Sequence, residues 1–256
     1  MSDVLHEISG TVGLITLNRP DRMNAINISL ARQLEDAITE LGADSAVKTI
    51  LIRGAGGNFC AGGDFDEVQR LRSEGPEALR ALFDTFKSAC AAIGRVPIPV
   101  VAAIDGVAMA GGFELMQAVD IVLVCDEAKV SDNHVNFDMI PGGGSTARLP
   151  RIVGRQQALG LLLSGDRLNG PELVQRGLAY RSFPTESFDA SVETFVGKLA
   201  GRDRSALADI KRLVGDGLHL PLDTALNEET DAVVTRIAGQ AGHDSVAAFQ
   251  NREVRA

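Results

Sequence analysis

Residues 98 to 124, IPVVAAIDGVAMAGGFELMQAVDIVLV, decide how the rest of the chain is read. Ile98 to Ile104 is an unbroken apolar run rich in β-branched side chains, the pattern of a buried strand, and Asp105-Gly106 is a turn signal behind it. The spacing then predicts a helix opening near Gly111, followed by a second buried strand over Ile121 to Cys125. Two glycines at a helix start let a ligand approach the main chain, whose first N–H groups have no intrahelical acceptor and favour negative charge. Glu114 falls within the first turn. A carboxylate beside such donors outlines a proton-transfer site, because the donors hold the charge that the base creates. The plainer alternative is a tight Gly-Gly turn with Glu114 serving the helix start alone.

Working outward toward the N-terminus, Pro76 to Ile93 reads as a long helix feeding the central strand through Pro97 and Pro99. Before it lies a second glycine-rich loop, Asn58-Phe-Cys-Ala-Gly-Gly-Asp-Phe65, with a charge-rich helix from Asp66 to Arg72. Val4 to Leu17 predicts two strands, and Asn18-Arg-Pro-Asp-Arg22 breaks them. Ile28 to Leu41 has apolar residues at helical spacing, with Ser29 expected as its cap and Gly42 as its end. Val47 to Ile52 is a short strand. Strand, helix, strand in this order implies crossovers and a partly parallel sheet.

Beyond the central stretch, Val130 to Arg155 reads as mostly irregular, with a helix expected only from Gln156 to Leu163. Long loops in compact domains tend to carry function, and this one holds Asp132, His134 and Asp138. Pro171 to Gly177 predicts a helix, Leu178 to Phe183 a strand, and the chain from Phe188 onward a helical layer.

Composition narrows the function classes. A chain of 256 residues that is 45 % hydrophobic and 23 % charged can bury a substantial core. Three widely spaced cysteines, Cys60, Cys90 and Cys125, form neither a disulfide frame nor a zinc pattern, and His6, His134, His219 and His243 are too scattered for a metal site. No metal is expected. A net charge of −9, no Trp and one Tyr argue against nucleic acid. No stretch is apolar enough for a membrane span and MSDVLHEISG lacks the pattern of a leader, so a cytoplasmic protein is expected.

Seven segments in order resemble the crotonase superfamily, the enoyl-CoA hydratase and isomerase group. They are Leu17-Asn-Arg-Pro-Asp-Arg-Met-Asn-Ala25, Asn58 to Asp64, Pro99 to Glu114, Ile140-Pro-Gly-Gly-Gly144, Leu149-Pro-Arg-Ile-Val-Gly154, Leu163-Ser-Gly-Asp166 and Gly177-Leu-Ala179. The resemblance implies an α/β fold: a spiral of ββα units with two roughly perpendicular sheets over residues 1–195, and a C-terminal helical region over 196–256 for assembly and active-site cover. It also implies a homotrimer or a hexamer made of two trimers, and an acyl-CoA thioester substrate with no separate cofactor, since coenzyme A is part of the substrate.

By motif position, the resemblance puts two enolate-holding amides at Gly63 and Gly111, flanked by Gly62, Asp64, Gly112, Pro141 and Gly142. Arg22 falls where a CoA phosphate would lie, and Ala25 and Ala61 where adenine would be held. Alternatively, Arg22 is a solvated charge. The segment Ala248-Phe249-Gln-Asn-Arg252 resembles the family's closing segment. Hydratases of the group carry two glutamates: Glu114 matches the first, His134 occupies the place of the second, and Asp138 replaces a usual glycine. An imidazole near pKa ~6.5 can still lend or take a proton at neutral pH. Asp138 is either its orienting partner or a turn residue.

Reversible hydration of a 2-enoyl-CoA is the leading expectation. Double-bond isomerisation, another lyase or hydrolase reaction of this group, and acyl-CoA binding without turnover are the alternatives. Leu71, Leu79, Leu82 and Phe83 line the acyl pocket or belong to the core.

Overall fold

The structure, a computed structural model, describes residues 2–239 and 242. The chain divides into two compact units, the first running through Arg204 and the second from Ser205 onward. This division falls beyond the expected 195/196 boundary because the helix spanning Phe188–Ala200 buries Phe188, Val192, Val196 and Ala200 in the first unit. A cut at residue 195 would split that buried face.

In the first unit, β1 (Val4–Ser9) and β2 (Val12–Leu17) form an antiparallel hairpin. The helix α1 (Ile28–Ala43) then returns the chain to β3 (Thr49–Gly54), parallel to β2. Asn27 caps α1 by accepting from the Leu30 amide at 2.7 Å, so Ser29 lies one residue inside the helix and Gly42 is part of its last turn. Both Asn27 and Ser29 are good caps; the extended φ/ψ needed at a cap occurs at Asn27. Next come α2 (Phe65–Glu74), capped by Asp64, and α3 (Pro76–Arg95), which leads to β4 (Val100–Ile104).

From here the chain alternates between two sheets. After β4 in the large sheet, β5 (Val107–Met109) lies in a small one and the short helix α4 (Gly111–Met116) follows. The next turn repeats the order with β6 (Ile121–Cys125) beside β4 and β7 (Lys129–Ser131) beside β5. Helices α5 (Ser145–Ser164) and α6 (Gly170–Gln175) precede β8 (Arg181–Phe183), and α7 (Phe188–Ala200) completes the unit. The large sheet has the order β1-β2-β3-β4-β6-β8 and is parallel after the first hairpin; the small one pairs β5 with β7.

Parallel crossovers bury both faces of the central strands, which explains why β4 is buried throughout and reads as a continuous apolar run. Cys60, Cys90 and Cys125 are free and buried, and burial pushes the Cys60 and Cys90 thiols up to about 12. At neutral pH these thiols are inert protonated side chains.

Among the described residues the second unit contains α8, whose span Arg204–Gly217 begins at the division, and α9 (Leu222–Ala238). Arg236 lies 3.3 Å from Asp209, joining the two helices, while Ile210, Val214, Leu222 and Val234 are exposed. The segment Ala248–Arg252, like His243, lies outside the described residues. Among the described residues no helix is long and apolar enough to cross a membrane.

Candidate active site

The spiral brings its glycine loops together by equal offsets. Cys60 forms a parallel bridge with Ala108, and Ala108 in turn pairs with Val130. Parallel pairing sets residues at the same offset side by side, so Gly63 and Gly111, each three residues beyond a bridged partner, occupy equivalent places in adjacent turns. His134 follows Val130 in the third turn. Gly63, Gly111, Glu114, His134 and Gly143 line one cavity of about 50 Å³, closed on its apolar side by Ile26, Val68, Leu82, Phe83 and Phe86.

The loops are locked in place by main-chain bonds. Gly62 O accepts from the Ile26 amide at 2.7 Å and the Asp64 amide donates to Ile26 O at 2.8 Å. In a parallel bridge of this kind the central residue's own N–H points away from its partner, leaving the Gly63 amide on the side opposite Ile26. Gly111 opens α4, so its N–H has no intrahelical acceptor. Close approach explains the glycines: a Cβ on Gly111 would lie 2.8 Å from Ile26 Cδ1, and one on Gly112 would collide with the Cys60 carbonyl. Between them, Ala110 takes the unusual φ of 46° and ψ of −114° that turns the chain into α4, a strain of roughly 1–3 kcal/mol that the surrounding packing must offset.

Glu114 is 2 % exposed. Its Oε1 accepts from the Gly143 amide at 2.7 Å and the Ser145 amide at 3.1 Å, so Oε2 is the oxygen without a donor among the described residues. Burial raises its pKa above the ordinary glutamate value, and the two amides with His134 offset that only in part. Gly143 therefore matters as the holder of the carboxylate. The Pro-Gly-Gly-Gly run was its only sequence signal.

His134 begins a short 3₁₀ turn, His134–Phe137. Its Nδ1 lies 2.6 Å from Asp132 Oδ1, and the Asp132 side chain is 1 % exposed. Burial works against the imidazolium, but the Asp132 carboxylate, helped by Glu114, outweighs it and holds the pKa above the usual histidine value. Asp138 is not the partner. It is exposed, in the left-handed conformation at φ 55°, and closes the 3₁₀ turn.

The remaining candidates divide. Leu82 and Phe83 line the cavity, whereas Leu71 is core and Leu79 half-buried away from it. Asp64 is turned to structure: Arg19 holds it at 2.7 Å and lowers its pKa against the effect of burial, and it caps α2. Ala61 donates to Met23 O at 2.9 Å, and Ala25 lies beside it in the loop that buried Asn24 ties to Ala55 O and Asn58 O. Arg22 is exposed and paired with Asp66 at 2.7 Å. Pro141 and Gly142 flank Gly143 at the cavity edge, where a Cβ on Gly142 would press on the Phe83 ring at 2.5 Å. Gly62, at φ 110°, needs its missing Cβ to clear Ala110.

Two glycines from adjacent turns, one buried carboxylate and one imidazole thus line one largely apolar cavity. Such a set can move a proton next to a carbonyl whose oxygen is held by the amides.

Similarity to known proteins agrees with this chemistry. Residues 7–254 match the family model described as enoyl-CoA hydratase/isomerase. A probable enoyl-CoA hydratase of Rhizobium meliloti (strain 1021) is 31 % identical over 246 residues, 96 % of this chain and 94 % of that protein. The 1,2-epoxyphenylacetyl-CoA isomerase of Escherichia coli (strain K12) is 29 % identical over 252 residues, with 97 % and 95 % covered. A solved enoyl-CoA hydratase from Polaromonas sp. JS666 superposes with a TM-score of 0.93 at 27 % identity, covering 97 % of each chain. The crossover order, the converging glycine loops and a match over nearly the whole length make this chain a member of the enoyl-CoA hydratase/isomerase family, a crotonase-fold enzyme that processes acyl-CoA thioesters.

Proposed function

We propose that the enzyme catalyses reversible addition of water to a 2-enoyl-CoA, with the thioester oxygen held between the Gly63 and Gly111 amides. The observation that carries this reading is that Glu114 and His134 line the same cavity as those two glycines. Glu114 takes a proton from water as the water oxygen bonds to C3, and the alkene electrons move to the thioester oxygen. As the enolate collapses, C2 takes a proton from His134 Nε2. One proton has entered on Glu114 and one has left from His134; returning it from the acid to the imidazole resets the site.

The small cavity of about 50 Å³ between Leu82, Phe83 and Phe86 supports a short acyl chain. Coenzyme A enters only as part of the substrate. Arg22 would have to exchange Asp66 for a phosphate to take part in binding it. Assembly into trimers or hexamers belongs to the same reading and is supported by the exposed apolar side chains of Phe137, Met139, Ile140 and Leu163. Isomerisation is the second reading. Glu114 is the one carboxylate among the residues lining the cavity, and a relative of similar identity is named an isomerase.

The test is a panel of 2-enoyl and 3-enoyl thioesters of several chain lengths, with water addition and double-bond movement measured separately. Crotonyl-CoA is expected to be hydrated faster than long-chain analogues. Double-bond movement without hydration would favour isomerisation, and binding without any product would contradict both.

The pH profile carries a signed prediction. Glu114 must be ionised to act as base, and its raised pKa moves the acidic limb of kcat/KM above the ordinary glutamate range. His134 must be protonated to act as acid, and its raised pKa moves the alkaline limb above the usual histidine value near ~6.5. A bell with both limbs displaced upward is expected; an alkaline limb below the free-histidine value would assign the acid to another group.

A further inference from the structure

The site contains a buried charge that the proposed reaction does not itself consume. Asp132 follows β7 directly, on the strand end that also delivers His134, and its Oδ1 meets the ring Nδ1 at 2.6 Å while accepting weakly from the His134 amide at 3.4 Å. Its Oδ2 is buried and has no hydrogen-bond partner among the described residues. A turn contact between near neighbours would give the short distance alone. It would not require an acid side chain to be withdrawn from water with one oxygen unpaired, an arrangement that works against folding and persists where something else is gained.

We propose that Asp132 is a positioning residue of the active site, holding His134 by Nδ1 so that Nε2 is the ring nitrogen presented to the cavity opposite Glu114. Two ring nitrogens are available in free imidazole, and only one can serve C2. An anion on Nδ1 fixes the proton there in the neutral ring and stabilises the imidazolium when the ring is charged. Asp132 and Glu114 are the charged groups that face His134, and they do different work: Asp132 holds the ring from behind, Glu114 shares its proton across the cavity. A carboxylate behind the imidazole favours its protonated form, the form that can give a proton to C2 where the group's hydratases carry a second glutamate.

This inference rests on the assignment of Glu114 and His134 as the acid and base, and its test is built to fail separately. The first arm is side-chain ¹H–¹⁵N NMR of the wild-type protein above the His134 pKa, with the resonance assigned from the spectrum of His134→Gln. The neutral ring is expected as the Nδ1–H tautomer, the minor form of free imidazole. An Nε2–H tautomer would overturn the proposal whatever reaction the enzyme catalyses. The second arm is Asp132→Asn, which keeps the volume and removes the charge. With crotonyl-CoA, kcat is expected to fall about 10²- to 10⁴-fold, the range set by loss of such a carboxylate elsewhere. KM should stay within about threefold, and the alkaline limb of the pH profile should move down because the imidazolium has lost its anion. Wild-type kcat with an unmoved alkaline limb would overturn the positioning role. If the variant does not fold, the tautomer of the wild-type protein decides.

Discussion

Glu114→Gln is expected to lower kcat for hydration of crotonyl-CoA by about 10³-fold, the order associated with losing a positioned general base, while leaving the protein folded. The geometry makes this substitution cleaner than most. Oε1 accepts from the Gly143 and Ser145 amides, so a glutamine keeps its carbonyl oxygen there and turns its NH₂ toward the cavity. Nothing else has to move. The stability consequence has a definite sign. Because the folded-state pKa of Glu114 lies above its unfolded value, the native state binds this proton more tightly, and stability falls as pH rises between the two values. The ionised form of a carboxylate whose pKa is raised by burial works against folding, and the neutral amide removes that cost. The thermal midpoint of the variant at pH 7 is expected to equal or exceed that of the wild type. Turnover unchanged within a few-fold would take Glu114 out of the mechanism; a large fall in the midpoint would mean the carboxylate holds the loop from Gly142 to Ser145 by its charge.

Gly63→Pro is expected to lower kcat/KM by about 10²-fold relative to Gly63→Ala. The comparison removes one hydrogen-bond donor and sets the proline Cδ where its hydrogen pointed. A Cβ at residue 63 meets nothing closer than Val68 Cγ2 at 3.9 Å, so alanine is accommodated and keeps the amide. Proline has no N–H. The bridge to Ile26 uses Gly62 O and the Asp64 amide, not the Gly63 N–H, so no native bond is lost. Removing one donor aimed at a developing oxyanion costs about 3 kcal/mol of barrier, whereas removing an amide that faces only solvent costs almost nothing. Equal kcat/KM for the proline and alanine variants, both folded by circular dichroism, would show that this amide holds no charge in the transition state.

The fold was legible where side chains report their own burial. Continuous β-branched runs gave β4 and β6, and the apolar spacing of α1 and α3 gave their helical faces. It was not legible where the backbone defies local preference. The segment expected to be irregular up to Arg155 contains the first half of α5, which starts at Ser145 and passes through Pro150 before breaking at Gly154 with φ 78°. Gly142 to Gly144 do stay outside the helix; Pro150 is a loop signal by propensity, and the burial of Leu149 beside it overrides that signal.

The candidate site was legible in its glycines, and the reason is steric: a Cβ at Gly62, Gly111 or Gly112 meets a neighbouring turn of the spiral. The positive φ of Ala110 is not legible, because alanine carries no signal for it. Of the two roles open to Asp138, the turn residue is the one it takes, since orienting His134 from four residues away would need an α-helix. The segment is a 3₁₀ turn ended by Asp138 itself, and the side chain within reach is Asp132, two residues before the ring. Arg22 and Asp64 carry opposite lessons. Each is a charge in a motif position, yet Asp66 and Arg19 respectively already hold them, which no reading of spacing alone discloses.

The most direct measurement is a crystal structure with a bound, slowly reacting acyl-CoA thioester. The thioester oxygen is predicted to lie within about 3.1 Å of both the Gly63 and Gly111 nitrogens, the range of a donor to an oxyanion, with Glu114 Oε2 and His134 Nε2 facing C2 and C3. An acyl group bound with its carbonyl away from either amide, or outside the cavity that Glu114 and His134 share, would contradict the mechanism at its root.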